Sequence, residues 1–100
     1  MRITTKEQHI IKKLAEEEFG AGTHVYIFGS RTDDNQRGGD IDIFISNKSK
    51  HKLTLRAKIS FLTRLKTMIG DQKIDVVLDT NSTRSKKIFY RTIKKGAIEI

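Results

Sequence analysis

The chain has 100 residues, a formal net charge of +8 and no cysteine, and 36% of its residues are hydrophobic while 32% are charged. These values predict a single small domain over residues 1–100, and they exclude disulfides and thiolate chemistry. No apolar run approaches the length of a membrane span, and the N-terminus lacks the apolar core of a signal peptide, so a cytoplasmic protein is expected. The positive net charge favours anionic partners.

Hydrophobic periodicity and turn residues predict alternating helices and short strands. The predicted elements are a helix over 5–19, strands over 24–28 and 40–45, a helix over 53–69, a strand over 73–78, and a helix from Asn81 or Ser82 to Gly96. Thr5 and Gln8 have the spacing of a capping box for the first helix. The pattern predicts an α/β (α+β) fold, a small mixed sheet flanked by helices in the order α-β-β-α-β-α, which a strand over 97–100 could close.

The most informative stretch is residues 27–45, IFGSRTDDNQRGGDIDIFI, which predicts strand, turn, polar loop and strand. Asp40 and Asp42 are two apart on the second strand, so they share one face and lie about 7 Å apart. Two carboxylates on one face repel each other unless a cation lies between them. Oxygen ligands of this kind suit Mg²⁺.

The Gly29-Ser30 turn supplies a second feature of the same stretch. Backbone N–H groups at a glycine turn can bind phosphate oxygens. Arg31 follows directly and could contact phosphate, although a solvated arginine explains it equally well. A phosphate-binding turn facing two metal-binding carboxylates indicates chemistry on a nucleoside triphosphate.

Asp75 is a lone carboxylate in an otherwise apolar strand, where an unpaired charge is costly. If this strand lies beside the strand of Asp42, then Asp40, Asp42 and Asp75 share one face and could hold two Mg²⁺ ions. Asp75 is then also the nearest candidate for a general base. The structural alternative is a salt bridge from Asp75 to a lysine such as Lys73.

Gly29-Ser30, a nine-residue spacer, Asp40-Ile-Asp42 and a later Asp75 together resemble the polymerase-β-type nucleotidyltransferase superfamily. The form GSR…GDIDIFI is most similar to its minimal nucleotidyltransferases, the MNT proteins. The resemblance implies that Gly29 and Ser30 contact phosphates, and that the three aspartates bind the catalytic metals.

Some MNT proteins are antitoxins whose partner toxin is a HEPN-domain ribonuclease. Resemblance to them implies transfer of AMP from ATP onto a toxin tyrosine, which silences the ribonuclease. The short chain has no second domain to hold an acceptor, so we expect a partner to present it.

Three other functions are compatible with the sequence. The fold could act as a binding antitoxin without catalysis, or it could transfer a nucleotide to a small molecule. It could also bind RNA, which is not favoured because there is no tryptophan and few aromatic side chains are candidates for stacking. The last helix is rich in lysine and arginine that could contact triphosphate, RNA or a partner, or could simply be solvated; these residues are Arg84, Lys86, Lys87, Arg91, Lys94 and Lys95.

Overall fold

The computed structural model describes residues 3–29, 40–70 and 72–100. In this part of the chain a short 3₁₀ helix spans Lys50–Lys52, and four α-helices and four strands form the main regular structure. They are α1 (Thr5–Phe19), β1 (His24–Phe28), β2 (Ile41–Ser46), α2 (Leu55–Ile69), β3 (Ile74–Leu78), α3 (Asn81–Ser85), α4 (Lys87–Gly96) and β4 (Ile98–Glu99). This small mixed sheet with flanking helices confirms the predicted fold class. No helix among these residues is long and apolar enough to cross a membrane.

The strands are arranged in the order β3-β2-β1-β4. The inner strand β1 is antiparallel to its neighbours β2 and β4, whereas the other inner strand, β2, is parallel to β3. A parallel pair requires a crossover connection, and α2 lies in that connection between β2 and β3. The closing strand predicted over 97–100 exists as the two-residue β4.

One face of the sheet carries the main hydrophobic core. Ile41, Ile43 and Ile45 alternate along β2 and are fully buried, because every second side chain of a strand points to the same face. Helices α1 and α2 pack against each other over this face. The rings of Phe19 and Phe61 meet edge to face, with centroids 5.7 Å apart.

The opposite face carries the remaining side chains of the strands, and α4 covers part of it. The ring of Phe44 on β2 lies 6.0 Å from the ring of Tyr26 and 6.2 Å from the ring of Tyr90, centroid to centroid. Ile93 of α4 is 1% exposed. Asp42 is two residues from Phe44, so the candidate acidic cluster lies on this same face.

The helix boundaries differ from the prediction in ways that have local causes. The capping box of α1 is formed by Thr4 and Glu7, one residue before the predicted pair, because Glu7 can reach back to the Thr4 backbone. Leu53 precedes α2, whose N-cap is Thr54. Thr80, whose side chain accepts from the N–H of Thr83, is the N-cap of α3.

The last predicted helix is divided into α3 and α4 at Lys86, and its apolar stripe is only partly buried. Ile93 is buried as expected, but Ile88 is 83% exposed and Phe89 is 43% exposed. The division turns α4 relative to the single continuous helix that the periodicity predicted. Two large apolar side chains therefore remain on the surface.

Candidate active site

The parallel pairing of β2 and β3 brings the three aspartates together. Asp42 and Asp75 are direct partners in the register of the two strands. Asp40 immediately precedes β2, two residues before Asp42. Each aspartate offers one carboxylate oxygen, and these oxygens all lie within 4.8 Å of one another. The sequence predicted a cluster of three carboxylates if the strand of Asp75 lay beside the strand of Asp42. β3 and β2 are neighbours, and the cluster is formed.

The negative charges of the cluster act on one another, and Asp42 is the aspartate most affected. Asp40 and Asp42 are half-buried and Asp75 is exposed. Burial raises the pKa of Asp42, and the charges of Asp75 and Asp40 and a hydrogen bond with Asp75 raise it further, while Lys73 opposes the rise. The Asp42 carboxylate is therefore held in a place where its ionised form needs a further positive charge.

Lys73 forms an ion pair with Asp40, and not with Asp75 as the sequence alternative supposed. Its Nζ lies 3.5 Å from Oδ2 of Asp40, and its side chain is largely exposed. No ion pair between Lys73 and Asp75 is found among the described residues. An exposed ion pair of this kind is weak, so Lys73 neutralises the cluster only in part.

Gly29 places the main chain beside the cluster. It follows β1, where Phe28 is the register partner of Asp42, and its φ of +77° is one that L side chains rarely adopt. A Cβ atom at this position would overlap with Oδ2 of Asp42. A glycine at this position therefore lets the main chain lie this close to the carboxylate, and Gly29 adjoins the acidic cluster.

Ser30 and Arg31, the other residues predicted to bind phosphate, lie outside the described residues. The predicted loop over 31–39 lies there as well.

The chemistry of the cluster fits Mg²⁺. Three carboxylates supply only hard oxygen ligands, which this ion prefers. Among the residues that the structure describes, Lys73 opposes the mutual repulsion of these carboxylates only in part, so a bound cation would stabilise them. Asp40, Asp42 and Asp75 would hold it.

Two residues that the sequence analysis did not single out line the cavity next to the cluster. The cavity has a volume of about 440 Å³ and contains Asp42 and Asp75 together with Lys58 of α2 and Phe89 of α4. Lys58 is one of many basic residues in its helix, and Phe89 is part of an apolar stripe. No signal in the sequence distinguishes either residue from its neighbours.

The basic residues of the last helices do not act as one group. Arg84 donates to the buried carboxylate of Asp79 from Nε at 2.7 Å and from Nη2 at 3.0 Å. Lys94 lies over the ring of Tyr26, 5.6 Å from its centroid. These two side chains have structural partners, whereas Lys86 and Lys87 are exposed on the surface.

A comparison with protein families supports the geometry. The model of the family described as Polymerase beta, Nucleotidyltransferase matches residues 8–98. The match includes all three aspartates and Gly29. No curated protein matches the chain.

Proposed function

The chain belongs to the polymerase-β-type nucleotidyltransferase family, and from this we propose that it transfers AMP from ATP to a hydroxyl group of a protein acceptor. We propose that the acceptor is a tyrosine of a HEPN-type ribonuclease toxin and that the chain is the antitoxin of the pair. We also propose that this reaction takes place in the cytoplasm.

The observation that carries the proposal is the convergence of three carboxylate oxygens within 4.8 Å. A domain that neutralised its partner only by binding would gain nothing from this arrangement, because like charges at short range destabilise the fold. A nucleotidyltransferase needs it to hold metal ions beside the triphosphate.

In this proposal Asp40, Asp42 and Asp75 would hold two Mg²⁺ ions, which when bound would stabilise the charge of the triphosphate and lower the pKa of the attacking hydroxyl. Gly29 keeps the main chain of the phosphate-binding turn against Asp42. Ser30 and Arg31 are proposed to contact the phosphates, as in the sequence analysis.

The reaction forms one bond at phosphorus and breaks another, and one proton moves. The acceptor oxygen attacks the α-phosphorus of ATP, the bond between that phosphorus and the oxygen bridging to the β-phosphate breaks, and pyrophosphate leaves. Asp75 accepts the hydroxyl proton, since it is the exposed carboxylate of the three and can be reached by an incoming side chain. This exposure also supports a macromolecular acceptor.

The test uses ATP labelled at the α-phosphate, Mg²⁺ and the protein encoded by the adjacent gene as the candidate acceptor. Wild-type chain is compared with Asp40→Asn/Asp42→Asn, and Glu16→Gln is the control because it removes an exposed carboxylate from α1. We expect label on a tyrosine of the neighbour with wild type and control, and a loss of at least about 100-fold with the double variant.

Other outcomes identify the alternatives. Tight binding of the neighbour by wild type and double variant, with no label in either case, would show a binding antitoxin. Label on an added small molecule but not on the neighbour would show a different acceptor class.

A further inference from the structure

The outer edge of the sheet at β3 is open. β3 lies at the end of the strand order, and among the described residues no strand pairs with its second edge. The N–H of Ile41 donates to the carbonyl of Lys73, and the N–H of Asp79 donates to the carbonyl of Ile45. Odd-numbered residues of β3 therefore direct their backbone groups toward β2, and Val76 directs its N–H and C=O outward.

A groove runs along this edge between α2 and the last two helices. Two cavities, of about 440 and 470 Å³, adjoin each other there. Both are lined by Lys58 from α2, by Val76 and Val77 from β3, and by Phe89 from α4. Val76, whose N–H and C=O point away from β2, thus lines both cavities between α2 and α4.

One end of the groove is the candidate active site. The first cavity contains Asp42 and Asp75. The second contains neither aspartate and extends to Thr83 and Lys86. A segment lying in the groove from Lys86 toward Asp75 would therefore reach the carboxylate cluster.

In the second cavity, the walls of the groove are apolar and basic. Leu55, which is 68% exposed, lines the second cavity together with Phe89. Lys58 and Lys86 add positive charge, and no acidic side chain lines the second cavity among the described residues. An open strand edge pairs with an extended backbone, while apolar and basic walls favour apolar and acidic side chains.

We propose that an extended segment of the acceptor protein, carrying apolar and acidic side chains, adds to the edge of β3 as a further strand and delivers its hydroxyl to Asp42 and Asp75. This inference rests on the proposed function, because the occupant of the groove is the acceptor of the nucleotide. Main-chain pairing with Val76 sets the register of the segment, and the groove walls select its side chains.

The first experiment maps the contact by cross-linking. Because the chain has no cysteine, Phe89→Cys provides a unique thiol in the groove for a benzophenone maleimide. Met68→Cys is the control, since Met68 is exposed on α2 and lines a different cavity. With the protein encoded by the adjacent gene as the probe, we expect a cross-link from Phe89→Cys to one short segment of that protein and none from Met68→Cys.

The second experiment measures affinity with two charge reversals of adjacent residues. Lys86→Glu changes the groove, whereas Lys87→Glu makes the same change at the next residue, the first of α4, which does not line the groove. We expect Lys86→Glu to weaken binding of the neighbour by about ten-fold or more and Lys87→Glu to change it by less than about two-fold. Binding of ATP with Mg²⁺ should be equal in both variants.

The outcomes separate this inference from the proposed function. Label transfer to the neighbour without a groove cross-link overturns the inference and leaves the function intact. A groove cross-link without transfer overturns the proposed function and the delivery of a hydroxyl, and leaves only the docking of the neighbour at the edge of β3. A cross-link between two copies of the chain, or equal weakening of ATP binding and acceptor binding by Lys86→Glu, overturns the inference in favour of a dimer edge or a nucleotide subsite. Absence of both transfer and cross-link overturns both proposals.

Discussion

Gly29 lies against the carboxylate of Asp42 so closely that a Cβ atom would overlap with Oδ2. The main chain at the end of β1 is therefore packed against a carboxylate of the acidic cluster on β2, and a side chain at position 29 would have to displace that carboxylate. Gly29 also has a φ of +77°, which adds conformational strain to any substitution.

Replacing Gly29 by alanine should affect both stability and activity. We expect Gly29→Ala to lower the free energy of unfolding by about 1–2 kcal/mol or more, from the positive φ and the overlap with Asp42. The displaced carboxylate should also reduce label transfer from ATP by about 10-fold or more. Gly96→Ala is the control, because no atom lies within 4 Å of a Cβ there. Equal stability and activity of the two variants would contradict this account.

Removing one charge of the cluster should have opposite effects with and without metal. Asp75→Asn relieves repulsion with its register partner Asp42. In EDTA we expect the variant to be more stable than wild type by a few tenths to about 1 kcal/mol. Addition of Mg²⁺ should stabilise wild type far more than the variant, because binding to the folded state shifts the equilibrium. Thermal unfolding under both conditions measures this.

The dependence of the unfolding temperature on Mg²⁺ concentration also tests the role of Asp75. Equal stabilisation of wild type and Asp75→Asn across a range of Mg²⁺ concentrations would remove Asp75 from the proposed metal site.

Lys73 should compete with a cation for Asp40. Its Nζ lies 3.5 Å from Oδ2 of Asp40 and its side chain is exposed, so the pair contributes little to stability. We expect Lys73→Gln to leave the free energy of unfolding within about 0.5 kcal/mol of wild type and to tighten Mg²⁺ binding by about two- to five-fold. Metal titrations followed by the unfolding temperature test this, with the exposed Lys66→Gln on α2 as the control for loss of positive charge. Weaker Mg²⁺ binding in Lys73→Gln would be inconsistent with competition.

Asp79 should make folding sensitive to acid. Burial opposes its ionisation, but hydrogen bonds from Arg84, Ser46 and Lys50 outweigh burial and lower its pKa to about 2, from an ordinary value of 3.8. The unfolded state binds the proton more readily, so this stabilisation is complete above about pH 4 and is lost as the pH falls toward about 2. Its size is about 2 kcal/mol.

Denaturant unfolding of wild type and Asp79→Asn between pH 2 and 7 measures the effect. We expect the difference in unfolding free energy to shrink as the pH falls below about 4. A difference that stays constant over the whole range would show that Asp79 acts through packing alone. Glu16→Gln should not reproduce the change, because Glu16 is exposed on α1.

The sequence by itself determined the element order, the strand alternation and the identity of the acidic residues. Spacing of two on a strand places Asp40 and Asp42 on one face whatever the surrounding fold, because the side-chain period of a strand is two residues. The apolar runs on either side of the polar stretch were sufficient to predict the strands β1 and β2. These are local features, and local backbone geometry decides them.

Only the tertiary structure decided which residues meet across the sheet. The register of β2 and β3 depends on the packing of the α2 crossover and the shared core, and it makes Asp75 the partner of Asp42. Lys73 pairs with Asp40 for the same reason. The division of the last helix exposes Phe89, and with the open edge of β3 it creates a groove. Such contacts join residues distant in sequence, so no local pattern encodes them.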